Sequence, residues 1–181
     1  MAQRDFDPRD PPRLESQNPL LEYQRPPEGL SALTIGQFAL AALMLVRVGL
    51  VRPEVRAAWG AGEWLLALYP AGVFGLAAMG IALRRGWGWW VTCAIYFYMF
   101  FNLPVALAVW TIKGGTFEAA NNLIIFGLAV GVLAYINRPQ LMRFIRFRTP
   151  DGRPGKWARA TPILAGAIGA GVRLGMELAR G

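Results

Sequence analysis

Histidine is absent from the 181-residue chain, and cysteine occurs only once. Without histidine there is no Ser-His-Asp triad, no imidazole ligand for zinc or haem, and no side chain that ordinarily titrates near neutral pH. A single cysteine permits neither an internal disulfide nor a thiolate cage around a metal. The sequence therefore predicts no catalytic residues, no metal site and no cofactor, and it argues against an enzyme.

Charge is also scarce, since only 17% of the residues are charged and 55% are hydrophobic. Ordinary soluble domains have about 25% charged and about 45–50% apolar residues. The mean hydropathy is +0.34, although the net charge is +8. This composition favours a membrane protein over a soluble one.

Four long apolar stretches follow one another along the chain. Each is close to the roughly 20 residues that a helix needs to cross the hydrocarbon core of a bilayer. They are separated by short links, which make successive helices antiparallel. The sequence thus predicts an all-α membrane protein, an antiparallel bundle of four transmembrane helices. The predicted spans are residues 31–51, 63–83, 89–111 and 118–137.

Residues 1–30 form a polar arm that contains six of the 13 prolines. Proline disfavours a long helix, and the arm lacks the pattern of a signal peptide. It is predicted to be cytoplasmic, either as a disordered tail or as an extended arm that orders against a partner subunit.

The distribution of basic residues predicts the topology. With four spans, 15 of the 19 Lys and Arg residues lie on the side of both termini, which the positive-inside rule assigns to the cytoplasm. Tryptophans fall near the predicted boundaries, where indole rings anchor helices at the membrane surface. A carbohydrate or pigment platform at residues 86–90 is the less favoured interpretation. The predicted anchors are Trp59, Trp64, Trp87, Trp89, Trp90 and Trp110.

Polar residues within or at the edge of the spans are predicted to join helices. Arg47 lies near the end of the first span, at the same level as Glu63 and Glu118, and an interfacial ion pair is favoured over an ion path. Amides in membranes usually bond across helices. The predicted interhelical contacts are Arg47, Glu63, Asn102, Glu118, Asn121 and Asn122.

Tyr98 and Asn102 are four residues apart and share a helix face. Pro104, two residues later, is expected to kink the third span. A small-molecule site for a quinone or lipid, built on Tyr98 and Asn102, is the alternative to a purely structural role for this face.

The segment 138–159 has seven basic residues and one acid. Since it follows a transmembrane span directly, we expect it to contact anionic phospholipid rather than nucleic acid. Its apolar residues Leu141, Phe144 and Ile145 are expected to face lipid, and bound lipid is expected. The predicted lipid contacts are Arg138, Arg143, Arg146 and Arg148.

Residues 160–181 begin with an apolar run that is too short to span a bilayer. Arg173, Glu177 and Arg180 then form one polar stripe, and small residues recur four apart. Three interpretations follow, in order of preference: an interfacial helix on the cytoplasmic surface, a docking helix for a partner protein, and a fifth span with the C-terminus outside.

Three short patterns resemble a loose class of small bacterial four-helix integral membrane proteins of uncharacterised function. They are an Arg-Pro-x-Gly-like lead at residues 25–30, an Arg/Trp-rich hairpin at residues 83–90, and a Leu-Arg-Pro-Glu-like exit at residues 135–140. The resemblance covers roughly residues 25–146. It implies a multi-pass protein of the bacterial inner membrane and implies no activity.

The polar extensions at both ends of the bundle favour protein contacts. The functional prediction is an accessory or scaffold subunit of a larger membrane complex, with partner subunits in the membrane. The alternative is a small-molecule (quinone- or lipid-like) binding or transport protein, and a membrane enzyme is the third choice.

Overall fold

The computed structural model describes residues 26–114, 118–145 and 155–179, without the side chain of Arg143. These residues form seven helices and no strand, which confirms the prediction of an all-α protein. The predicted N-terminal arm lies outside the described residues, except for residues 26–30. The helices are α1 (Leu30–Gly49), α2 (Pro53–Ala57), α3 (Ala61–Ala82), α4 (Gly86–Lys113), α5 (Ala119–Ile136), α6 (Pro139–Phe144) and α7 (Lys156–Ala179).

Five of these helices are long and apolar enough to cross a membrane: α1, α3, α4, α5 and α7. The first four coincide with the predicted spans, and their ends lie within three residues of the predicted bounds. The sequence did not favour α7 as a span, because Arg173 and Glu177 interrupt its apolar run. Five such helices are consistent with a multi-pass membrane protein.

The ends of four helices meet in one apolar cluster, which we call the hairpin end because it contains the α3–α4 turn. Leu30 and Trp89 lie in the first turns of α1 and α4, Ile81 and Ile136 lie in the last turns of α3 and α5, and all four side chains are buried in this cluster. Successive long helices among these four therefore run in opposite directions. The opposite end, where α1 and α4 finish and α3 and α5 begin, is called the distal end below.

Helix α4 is the centre of the arrangement. The extensive helix pairs are α1–α3, α3–α4, α4–α5 and α4–α7, and the last of these is the largest. The first and fourth spans do not pair extensively, so the described helices do not form a closed ring of four. The central position of α4 matches its length of 28 residues and its content of seven buried residues.

The α3–α4 turn depends on two glycines. A Cβ added to Gly88 would lie 2.2 Å from the carbonyl carbon of Gly80, so only glycine at both positions permits this crossing. Arg84 within the turn has a left-handed φ of 54°. From the sequence, residues 86–90 are predicted to form a surface anchor, with a carbohydrate or pigment platform as the less favoured interpretation. In the structure the glycine at position 88 sets the separation of two helices.

Helix α6 corrects one prediction. Leu141, Phe144 and Ile145 do not face lipid, because they are buried in the hairpin-end cluster at 1%, 7% and 0% exposure. Helix periodicity identified their shared apolar face correctly, but lipid and protein interior attract such a face equally well. The short helix therefore closes the hairpin end of the bundle.

Burial is concentrated in the half of the molecule near the hairpin end. Among the described residues, most buried positions in the long helices lie in this half or near the midpoint, and Val105 of α4 lies beyond it. No residue is buried in the distal portions, which are residues 42–49, 61–70, 106–113, 119–128 and 171–179. The distal half thus exposes most of its apolar side chains.

Candidate functional site

The α4–α7 contact is the most polar helix pair in the molecule, and we call it the seam. Near the hairpin end, the Trp90 indole nitrogen donates a 2.9 Å hydrogen bond to the Thr161 hydroxyl. Farther along, an Arg173 guanidinium nitrogen donates to the Asn102 side-chain oxygen. Residue numbers rise together in both pairs, so α7 runs parallel to α4.

Glycines in α7 allow the two helices of the seam to approach closely. A Cβ added to Gly166 would lie 2.6 Å from the Cβ of Phe97 and 2.7 Å from the backbone nitrogen of Tyr98. Gly169 is next along the contact and faces the Tyr98 ring. Small residues thus let α7 lie directly on the backbone of α4, as small-xxx-small patterns do in membrane helices.

The distal end of the seam carries another polar contact. The Lys113 ammonium group donates a hydrogen bond to the backbone carbonyl of Glu177. Since Lys113 ends α4 and Glu177 lies in the last turns of α7, this bond satisfies a carbonyl that has no partner within its own helix. Polar contacts therefore join α4 and α7 along nearly the whole length of α7.

The structure brings the two predicted ligand-binding candidates, Tyr98 and Asn102, to the seam. Asn102 is buried and accepts its hydrogen bond from Arg173, and Gly169 packs against the Tyr98 ring. Both side chains face α7 at least in part. The predicted interhelical role of Asn102 therefore has a definite partner, which the sequence did not identify.

A second polar group lies inside the bundle, between α1 and α4. The Gln37 amide nitrogen donates to the Thr92 hydroxyl at 3.2 Å, and that hydroxyl donates to the Gly88 carbonyl at 2.8 Å. Tyr96 lies one turn beyond Thr92 and is also buried. Gln37 is 1% exposed, and its side-chain oxygen has no hydrogen-bond partner among the described residues. This group joins helices that otherwise make few contacts.

The predicted ion pair of Arg47 is not among the contacts of the described residues and stays a prediction. Arg47, Glu63 and Glu118 are all exposed in the distal half, and the structure does not join Arg47 to either carboxylate. Asn121 is exposed as well. Asn122 donates to the backbone carbonyl of Glu118, which is a bond at its own helix terminus rather than between helices. The open packing of the distal half explains why these side chains do not meet.

The tryptophans fall into three groups. Trp89 is 2% exposed, so the prediction of a surface anchor at this position is wrong; the indole belongs to the hairpin-end cluster. Trp90 forms a hydrogen bond with Thr161 in the seam. Trp59 packs edge-on against Trp64 with ring centroids 5.0 Å apart. The remaining predicted anchors, Trp87 and Trp110, are exposed.

Arginines at the hairpin end lie over aromatic rings. The Arg84 guanidinium carbon is 4.2 Å from the centre of the Phe144 ring, and that of Arg138 is 5.6 Å from the Tyr135 ring. The Tyr135 hydroxyl also donates to the Glu28 carbonyl at 2.7 Å. These contacts position Arg138 at the predicted lipid-facing end. Of the other predicted lipid contacts, Arg146 and Arg148 and the side chain of Arg143 lie outside the described residues.

Metal-ligating side chains are scarce among the described residues. They contain no group of three or more His, Cys, Asp or Glu side chains that could hold a metal ion. Cys93 is free and buried in the hairpin-end cluster. Arg173 is the functional candidate that the sequence analysis underrated; its position on the same helix face as Gly166 and Ala170 was the available signal.

Comparisons with known proteins add no family. The chain matches no protein-family model, no curated protein and no solved structure.

Proposed function

We propose that this protein is a non-catalytic, multi-pass subunit of a bacterial inner-membrane complex, in which it acts as an accessory or scaffold component. The observation that carries the proposal is the one-sided packing of the bundle. Among the described residues, the distal portions of all five long helices contain no buried position, yet they carry many large apolar side chains. Helices of partner subunits would complete this half of the bundle.

The polar side chains support the same conclusion. The strongest internal contacts, Gln37 with Thr92 and Arg173 with Asn102, connect helices to one another. Such contacts give a rigid framework, and membrane helices use them for association rather than catalysis. The alternative of a quinone- or lipid-binding protein rested on Tyr98 and Asn102, and α7 now lies against both.

The parallel direction of α4 and α7 supports a topology with five spans. If the N-terminus is cytoplasmic, α4 runs outward, so a spanning α7 also runs outward and carries the C-terminus to the opposite side. The prediction that both termini are cytoplasmic depended on four spans and does not follow with five. Lys156 and Arg159 at the start of α7 stay at the hairpin end, in agreement with the positive-inside rule.

Fusion reporters test this topology. We expect alkaline phosphatase fused after Gly181 to be active and a fluorescent protein at the same position to be dark. Fusions after residue 85 should behave in the opposite way. A fluorescent C-terminal fusion would show that α7 does not cross the membrane.

Photo-crosslinking in intact cells tests the scaffold role. A benzophenone amino acid would be placed at Leu66 in α3 or Ile124 in α5, which are 74% and 70% exposed in the distal half. We expect each to form an adduct with one defined membrane protein that also co-purifies stoichiometrically in mild detergent. Leu76, which is 50% exposed nearer the hairpin end, is the matched control and should form no such adduct. A monodisperse chain without protein adducts would contradict the proposal.

The basic segment 138–159 is proposed to bind anionic phospholipid at the cytoplasmic surface. Clustered Arg and Lys residues near a membrane each contribute about 1 kcal/mol of attraction to anionic lipid. Replacing Arg138 by Gln should reduce co-purification of phosphatidylglycerol, while replacing the distal Arg56 by Gln should leave it unchanged.

A further inference from the structure

Arg173 carries a charge at the depth of the hydrocarbon core if α7 spans the membrane. It lies 12 residues beyond Thr161, and Asn102 lies 12 residues beyond Trp90. At about 1.5 Å per residue, the Arg173–Asn102 contact is therefore about 18 Å from the Trp90–Thr161 contact. The hydrocarbon core is about 30 Å thick, so this contact lies well inside it.

The direction of the Arg173 side chain keeps the charge inside the membrane. Side chains on a helix lean toward its N-terminus, which for α7 is the hairpin end. The guanidinium of Arg173 therefore leans away from the nearer, distal surface, and its hydrogen bond to Asn102 holds it in that direction. It does not reach toward the headgroups at the distal surface.

The charge of Arg173 is not neutralised by the described residues. A guanidinium has five N–H donors, and Asn102 supplies one neutral acceptor. Glu177, one turn farther along α7, forms no ion pair with it. A charged group at this depth is costly in lipid, and such residues usually pair with an opposite charge or line a functional path.

The side of α7 next to Arg173 is open. Val172 and Met176, the neighbours of Arg173 on that side, are 56% and 52% exposed. Residues 171–179 contain no buried position. A helix of another subunit can therefore lie along the distal half of α7 and reach the guanidinium from the membrane.

We infer that Arg173 is the docking point for a carboxylate on a transmembrane helix of a partner subunit. The inference rests on the proposed scaffold function and names the chemistry of its partner: an apolar helix with one Asp or Glu in its membrane-embedded portion. The carboxylate neutralises the guanidinium, and Asn102 holds the guanidinium in place. A lipid phosphate suits the site less well, because phosphates lie at the membrane surfaces and the side chain is directed away from the nearer one.

The test uses the full-length protein in phosphatidylcholine bilayers with a synthetic probe. The probe is an apolar helical peptide of about 24 residues with one central Glu, and matched peptides carry Gln or Leu instead. Binding is measured by energy transfer between labels on protein and peptide. Because close charge pairs at interfaces couple strongly, we expect the Glu peptide to bind at least about tenfold more tightly than the other two.

Variants assign the effect to Arg173. Arg173→Leu should abolish the preference for Glu, and Arg173→Lys should retain part of it. Arg47→Leu, which removes the arginine near the distal end of α1, should leave it unchanged. Asn102→Leu removes the contact across the seam, so a preference that persists in this variant shows that the carboxylate binds the arginine itself.

Two results would overturn the inference. One is equal binding of the Glu and Leu peptides to the wild-type protein while the protein remains folded in an SDS unfolding titration. The other is an effect of Arg173→Leu only on binding of phosphatidylglycerol added to the bilayer, which would assign the guanidinium to lipid phosphate. The peptide is supplied in the assay. Failure of the peptide to bind can therefore be distinguished from the absence of partner subunits in cells, which would contradict the proposed scaffold function.

Discussion

Replacement of Gly166 by alanine tests whether α7 belongs to the bundle. The added Cβ would lie 2.6 Å from the Cβ of Phe97, 2.7 Å from the backbone nitrogen of Tyr98 and 2.8 Å from the backbone carbon of Phe97. Favourable contacts between carbon atoms lie at about 3.5–4.0 Å. None of these three atoms is the flexible end of a side chain, so α7 must move away from α4 by roughly 1 Å.

Gly166→Ala changes the free energy of unfolding through two destabilising effects and one stabilising effect. Overpacking of this kind costs about 1–3 kcal/mol. Displacement also weakens the Trp90–Thr161 and Arg173–Asn102 hydrogen bonds, at about 0.6 kcal/mol each on average in membrane proteins. Alanine recovers about 0.8–1.0 kcal/mol of helix propensity. We therefore expect Gly166→Ala to lower the free energy of unfolding by about 1–3 kcal/mol.

Gly171 in the same helix provides the matched control. A Cβ at this position meets nothing within 4 Å, so Gly171→Ala has only the propensity gain and should be neutral or slightly stabilising. The free energies would be measured by SDS titration in mixed micelles. As a second readout, a cysteine at Ala170, which is 2% exposed, would be labelled by maleimide in a Cys93→Ala background. Labelling should accelerate with Gly166→Ala only. Equal stability and labelling of the two variants would refute the packing of α7 on α4.

Three further predictions concern the hairpin end. Gly88→Ala should destabilise the protein by more than the roughly 1–3 kcal/mol that is typical of overpacking, because the new Cβ would lie 2.2 Å from the backbone of Gly80. Gly72→Ala, where a Cβ meets nothing within 4 Å, should not destabilise it, and an SDS titration compares the two variants. Ile145→Ala should cost about 2–5 kcal/mol, because Ile145 is fully buried, whereas Ile35→Ala at a position with 66% exposure should change stability by less than about 0.5 kcal/mol in the same titration. Cys93 is fully buried, so maleimide should modify it only after unfolding, and rapid labelling in mild detergent would contradict the packing of this end.

Apolar length predicted four of the five helices that are long and apolar enough to cross a membrane, because a helix must satisfy its backbone within the bilayer whatever its neighbours are. Which apolar face meets protein could not be predicted in the same way. Trp89 and Ile145 would be equally stable against lipid or against other side chains, so periodicity cannot decide between these environments. In the structure, the close contact between Gly80 of α3 and Gly88 of α4 determines which apolar face meets protein. That contact joins two helices and cannot be read from the periodicity of either one.

The polar contacts were predictable as a class but not as pairs. Asn102 was expected to bond across helices, since an amide in hydrocarbon needs a partner. Its partner Arg173 is 71 residues away and was assigned to a surface stripe, because its charge made a spanning helix less favourable. Arg173, which counted against a span, is the residue whose side chain bonds to Asn102 in α4. Hydropathy summed along one helix cannot include that compensation.

Helix α6 and the start of α7 lie at the same end of the molecule. Because Leu141 and Ile145 are buried in the hairpin-end cluster, the chain remains at this end after α5 has crossed the bundle. Residues 155–156 then start α7 at the same end, as the Trp90–Thr161 bond shows. A helix that starts there and packs lengthwise on α4 can only run parallel to it, toward the distal end. The direction of α7 therefore goes together with the burial of α6 at the hairpin end, and loss of that burial in Ile145→Ala should expose a cysteine at Ala170 as well.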